Sequence, residues 1–244
     1  MEDKYVLITG ASSGIGRAVA IKLSTEYPLI LCGRNIEKLE ITKSQCYPNC
    51  KIIFWPFDLQ NVEDIGISLA SFIKEQAVSI GGFVHSAGIS PISPLRMISL
   101  DAMYEIMNVN FFSAAEILKV LSSKKNNNKD LDSVVFISSI AAVCGVKGQA
   151  VYSASKGALN AFARSMAVEL APNVRVNCVM PGGLRTAMTE DMYEAASDPT
   201  ELDNNLLGAG SVNDIAEAVA YFISEKSRWV TGQSLAVDGG FGVV

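Results

Sequence analysis

The run Tyr5-Val6-Leu7-Ile8 passes directly into Thr9-Gly10-Ala11-Ser12-Ser13-Gly14-Ile15-Gly16, and a helical pattern at Ile15, Val19, Ala20 and Leu23 follows it. Consecutive apolar residues ending in a turn read as a strand buried on both faces. Strand, glycine turn and helix in this order leave the helix N-terminus at the strand's carboxyl end. There the unpaired amides and the positive end of the helix dipole attract an anion. Gly10 and Gly14 permit the tight turn and the close approach of a pyrophosphate, and Gly16 lets the helix pack closely on the strand. Ser12, Ser13 and Ile15 supply the remaining backbone of this candidate dinucleotide site.

Further strand runs alternate with helical patterns along the chain. Strands are expected at Leu29 to Cys32, Ile52 to Trp55, Gly82 to His85, Val134 to Ile137, Val174 to Val179 and Leu235 to Val237. Helices are expected from Ile36 to Ser44, Val62 to Gln76, Ser99 toward Leu121, Tyr152 to Leu170 and Ser211 to Ser224, the last opened by a capping box. This alternation implies a parallel sheet covered on both faces. At 244 residues one domain accommodates it, spanning 1–244.

No apolar run approaches the roughly 20 residues of a membrane span, and the charged start Met1-Glu2-Asp3-Lys4 leaves no room for a signal peptide. A soluble, cytoplasmic chain is expected. A net charge of −5 disfavours nucleic acid as a partner. Cys32, Cys46, Cys50, Cys144 and Cys178 lack the spacing of a metal or redox site, so reduced thiols and no metal are expected.

The chemistry concentrates at Tyr152-Ser153-Ala154-Ser155-Lys156. On a helix the phenol and the ammonium share one face. A nearby cation favours the phenolate and moves a tyrosine pKa of about 10 toward neutrality, which makes Tyr152 a candidate acid/base with Lys156 as its tuner. The strand ending in Ser138-Ser139 places a hydroxyl at the carboxyl edge, where Ser139 could hold a substrate oxygen.

Together these stretches resemble the classical short-chain dehydrogenases/reductases over essentially the whole chain. Thr9 to Gly16, Asn110, Ser139, Tyr152, Lys156, Pro181-Gly182 and Val237-Asp238-Gly239-Gly240 match that family's pattern in order and spacing. The resemblance implies a Rossmann-type doubly wound, three-layer α/β/α fold with seven parallel strands in the order 3-2-1-4-5-6-7. It also implies hydride transfer between a nicotinamide and a carbonyl or secondary alcohol. Asn110, Ser139, Tyr152 and Lys156 would form the catalytic set, with the Asn110 backbone holding a water in a relay to Lys156. Tyr152 and Lys156 would also touch the cofactor.

Asp58, with Leu59, would contact the adenine, and the backbone of Ala87 and Gly88 would line the cofactor cleft. Pro181, Gly182, Leu184 and Thr186 would form the loop at the nicotinamide. A substrate lid is expected at about 187–210. The family pattern Asn-Asn-Ala-Gly reads His85-Ser86-Ala87-Gly88 here, and a structural role for His85 is preferred over that of a base. Gly33 replaces the acid of an NAD-specific relative, and Arg34 offers a fork suited to a 2′-phosphate, so NADP(H) is preferred over NAD(H).

The expected assembly is a homotetramer pairing the Asn110 and Tyr152 helices, with Phe111, Phe112, Leu159, Phe162 and Met166 as their spare apolar surface. The expected partner is a small carbonyl or alcohol. A 3-oxoacyl-[acyl-carrier-protein] reductase is an alternative, though only Lys124 to Lys129 and scattered arginines offer an acidic carrier protein a basic landing surface. A non-catalytic nicotinamide-sensing protein is the alternative of another class.

Overall fold

A computed structural model describes residues 4–184 and 205–243. Seven strands form one sheet: β1 (Tyr5–Thr9), β2 (Leu29–Gly33), β3 (Ile52–Pro56), β4 (Ile80–His85), β5 (Ser133–Ile137), β6 (Arg175–Pro181) and β7 (Ser234–Val237). Their order is β3-β2-β1-β4-β5-β6-β7, and every neighbouring pair is parallel, as expected. The chain builds outward from β1 to β3, then returns to lay β4 on the other side of β1. The carboxyl ends of β1 and β4 therefore flank the switch point, with Thr9 and His85 as register partners.

Alternating side chains of the buried strands feed two separate cores. Leu7, Phe83, Val134 and Val176 face a core completed by Ile65 and Leu69 of α3 (Val62–Gln76), Ile117 of α5 (Ser113–Leu121) and Leu159 of α7 (Ala150–Glu169). Val6, Ile8, Val84 and Val135 face the other. It is closed by Val19 of α1 (Gly14–Leu23), Leu39 of α2 (Ile36–Gln45) and Val219 of α8 (Val212–Ile223).

The helix expected from Ser99 toward Leu121 is present but interrupted. α4 (Leu100–Met107), capped by the Ser99 side chain, widens into a π turn at Asn108–Phe112 before α5 begins. Asn110 lies in that turn, so its backbone departs from the regular helical ladder.

The polar stretch Lys124 to Asp130 differs from a plain solvated loop. Lys124–Asn127 makes a helical turn, α6, and Asn127 is buried. Its carboxamide accepts from the Ile80 N–H (2.9 Å) and donates to the Ile80 carbonyl (2.8 Å), fastening the start of β4. No described helix is long and apolar enough to cross a membrane.

Candidate active site

A cavity of about 330 Å³ opens at the carboxyl edge of the sheet, over the switch point. Gly10 and Ser12 to Gly16 line one end of it, and Ser139, Tyr152 and Lys156 line the other, with Ala87, Gly88, Pro181, Gly182 and Leu184 between them. Thr186 lies outside the described residues, as do residues 187–204 of the expected lid.

The glycine turn has the shape and the donors to take a phosphate. Gly10 and Gly14 have positive φ (65° and 52°). A Cβ on Gly16 would stand 2.2 Å from the Gly10 carbonyl oxygen, so the helix rests directly on the turn. Ser13 occupies the N-cap of α1 without a side-chain cap, and the first turn of α1 holds no acid. Asn35 and Ser99, by contrast, cap α2 and α4. The first amides of α1 are thus left for an anion from outside the chain. Arg17 secures the turn from behind, donating to the Ser12 carbonyl and to Thr42 Oγ1.

Beyond the turn, Gly33 ends β2 and Arg34 follows it, while Asp58 follows β3, brought alongside by the Gly33–Pro56 register. The Arg34 side chain is 69 % exposed, and its guanidinium sits 3.8 Å from the Asp58 carboxylate. Among these groups Arg34 is the fork able to meet a phosphate on the ribose, and Asp58 partly offsets its charge.

At the other end, α7 carries Tyr152 and Lys156 on one face, with Lys156 Nζ 5.7 Å from the centre of the phenol ring. Lys156 is buried, and its Nζ donates to the Ile137 carbonyl at 2.8 Å. Burial lowers its pKa to about 8. Ser139 Oγ accepts from the Ala141 N–H at 3.1 Å, and its hydroxyl also reaches the Tyr152 phenol.

The expected direction of the tyrosine shift is corrected here. Burial is the dominant influence and pushes the Tyr152 phenol above its ordinary value, with the Ser139 hydrogen bond opposing it. The lysine expected to lower it aims its ammonium at a backbone carbonyl instead. At neutral pH the phenol is therefore protonated.

Asn110 stands behind this group, fully buried. Its carboxamide accepts from the Ile89 N–H (2.8 Å) and donates to the Ile89 carbonyl (3.0 Å) and to Ser155 Oγ (2.9 Å). A Cβ on Gly88 would meet Lys156 Nζ at 3.3 Å and Asn110 Oδ1 at 3.4 Å. His85 is buried and not part of the cavity wall, which removes it as a base acting on a ligand there.

Sequence reasoning missed Ser155 and Ile89 as the partners of Asn110. Their adjacency to Lys156 and to Gly88 was the available signal. It also offered Leu159 as spare surface, but Leu159 is core, and Phe111, Phe162 and Met166 pack against that core. The exposed apolar groups on these helices are Leu100, Tyr104, Phe112 and Val168. Among the described residues no cluster of histidine, cysteine or acid could hold a metal ion.

Comparison with known proteins fits this geometry. The family profile described as enoyl-(acyl carrier protein) reductase matches residues 10–242. The chain is 30% identical to a 3-oxoacyl-[acyl-carrier-protein] reductase of Thermotoga maritima, covering 98% of each chain. An actinorhodin polyketide ketoreductase solved with NADPH superposes with a TM-score of 0.88 at 25% identity, over 99% of this chain and 98% of that one. A 4-hydroxyisoleucine dehydrogenase complexed with NADH gives 0.88 at 26% identity, over 99% of both.

Proposed function

The chain belongs to the short-chain dehydrogenase/reductase family, and we propose that it reduces a small carbonyl compound reversibly, with NADP(H) preferred over NAD(H). The observation that carries this reading is the joining, in one cavity, of an uncapped glycine-turn helix to a protonated tyrosine beside a serine and a buried lysine.

The residues fit a nicotinamide dinucleotide. The amides of Ser12 to Ile15 would hold the pyrophosphate and Arg34 the 2′-phosphate. Asp58 and Leu59 would border the adenine. Ala87, Gly88, Pro181, Gly182 and Leu184 would border the cleft toward the nicotinamide, and Thr186 is assigned to its loop. When bound, the cofactor supplies or accepts the hydride. Ser139 Oγ accepts from Ala141, and its proton, directed at the Tyr152 oxygen without substrate, would turn to the substrate's carbonyl oxygen when that oxygen enters between them. Tyr152 gives its proton to that same oxygen, and the raised pKa keeps it loaded for reduction at neutral pH. Lys156 would hold the nicotinamide ribose, and Asn110 would fix the backbone from which the tyrosine's proton is replenished.

A 3-oxoacyl thioester is the second substrate class, favoured by the name of the Thermotoga relative. Oxidation of NADPH with an acetoacetyl thioester and with a panel of small ketones and diketones separates the two. Turnover confined to the thioester assigns the carrier-type reaction, and no turnover with any carbonyl refutes an enzyme and favours a nicotinamide-sensing protein.

The proposed assembly is a homotetramer paired through α4, α5 and α7, whose exposed Leu100, Tyr104, Phe112 and Val168 would be covered. A monomeric mass in light scattering at micromolar concentration refutes it.

A further inference from the structure

Ser138 precedes Ser139 in the chain and Ser155 precedes Lys156, and both are buried. Neither has a part in the chemistry described above. Their hydroxyls donate instead to two backbone carbonyls of α7, those of the two residues on which the proposed reaction turns. Ser155 Oγ donates to the Tyr152 carbonyl at 2.6 Å, and Ser138 Oγ donates to the Lys156 carbonyl at 3.0 Å.

Each serine is anchored by groups outside this helix or by its own place outside it. Ser138 follows β5, and its N–H donates to the Val179 carbonyl of β6 at 2.8 Å. Lys156 Nζ donates to the carbonyl of Ile137, the residue before Ser138. Lys156 is thus tied to the end of β5 through its side chain and through its backbone. Ser155 is held by Asn110. The Ile89 N–H fixes the carboxamide oxygen of Asn110 on its own side, so the amide nitrogen faces Ser155 Oγ at 2.9 Å. With that oxygen accepting from Asn110, the single proton of the hydroxyl goes to the Tyr152 carbonyl. The Tyr152 backbone is therefore joined through two side chains to the π turn and, by way of Ile89, to the chain leaving β4.

Proton transfer works over a heavy-atom separation of roughly 2.6–3.2 Å, so the phenol has little room to drift from the oxygen it serves. Tyr152 and Lys156 lie one turn apart on one face of α7, and a small rotation or slide of the helix would displace both from Ser139 together. Gly157, next in the chain, makes this stretch of helix backbone less stiff. We propose that Ser138 and Ser155 are positioning residues for the reduction, two pins that fix the first turns of α7 against the ends of β5 and β4. This rests on the reading of Tyr152 as the proton donor.

Ser138→Ala and Ser155→Ala each remove one oxygen and leave the packing nearly filled. Ser133→Ala is the control: Ser133 is also fully buried, and its hydroxyl donates to the Phe222 carbonyl at 2.9 Å, but it opens β5 at the edge of the sheet away from the cavity. All three should lower Tm by a few degrees. Assayed well below Tm, only Ser138→Ala and Ser155→Ala should lower kcat, by roughly tenfold, with the KM for NADPH within about twofold of wild type. A wild-type kcat in either variant overturns the role of that serine, and an equal kcat loss in Ser133→Ala overturns the positioning role of both. Hydrogen exchange read by mass spectrometry tests the pins without turnover. The amides of residues 150–158 should exchange at least about tenfold faster in the two variants and at the wild-type rate in Ser133→Ala. Unchanged exchange there overturns the pins, whatever the substrate. Absence of turnover in the wild type refutes the proposed reaction instead, and the exchange still decides the pins.

Discussion

Two glycine-to-alanine changes in helices should move stability in opposite directions, and the structure gives the reason for each sign. In a helix interior alanine is favoured over glycine by about 0.5–1 kcal/mol, since it restricts the unfolded chain. At Gly66 in α3 an added Cβ meets nothing within 4 Å. The full gain should appear there, raising Tm by roughly 1 to 4 °C. At Gly16 the same methyl would stand 2.2 Å from the Gly10 oxygen and 2.7 Å from the Gly10 carbonyl carbon, closer than Cβ atoms approach backbone in folded proteins. Relief requires a shift on the order of an ångström of either α1 or the turn. Overpacking of this kind costs about 1–3 kcal/mol, enough to exceed the propensity gain. Gly16→Ala should therefore lower Tm by a few degrees and weaken NADPH binding at least about tenfold, because the displaced amides belong to the phosphate cradle. Thermal melts and cofactor titration of both variants check this. A Gly16→Ala protein as stable as Gly66→Ala, with wild-type cofactor affinity, would refute the packing argument.

Other consequences follow from the charged groups. Arg34 should give NADPH a roughly tenfold to hundredfold advantage in kcat/KM over NADH, from a contact worth about 1.5–3 kcal/mol. Gly33→Asp with Arg34→Leu should reverse that ratio, and equal values for the two cofactors in the wild type would defeat the assignment. Lys156 is buried with its pKa lowered to about 8, so its charge opposes folding below that pH. The penalty fades as pH rises from about 8 toward the unfolded value of about 10.4. Lys156→Met should therefore raise the Tm of the cofactor-free protein at pH 7, and this advantage should shrink by about pH 9.5. A Tm difference constant across that range would contradict the assignment.

The strands and the glycine turn were legible because each rests on local sequence, whereas the order of the strands was available only through the family resemblance. Apolar runs such as Val134 to Ile137 are bounded by polar residues, and Gly10, Gly14 and Gly16 have spacing with one structural use. The π turn at Asn108–Phe112 was not, since a single widened turn alters no periodicity that eight or nine residues of helix on either side could display. Asn127 lies in a run of lysines and asparagines, and only the fold reveals that its carboxamide closes the start of β4. Arg34 and Asp58 are joined by strand register, a property of the pairing of β2 with β3 rather than of either segment. The Tyr152 shift was misread for a related reason: sequence shows the neighbouring cation but not the burial that outweighs it.

Turnover of NADPH by the wild-type protein and by Tyr152→Phe, each across the same ketone panel, tests the central claim most directly. The change removes the hydroxyl proposed as the proton donor and leaves the ring, the glycine turn and Lys156 in place. The account predicts measurable reduction by the wild type and a loss of roughly 10²-fold or more in the variant, with NADPH affinity retained. A variant that turns over at a near-normal rate would contradict it and place the acid elsewhere.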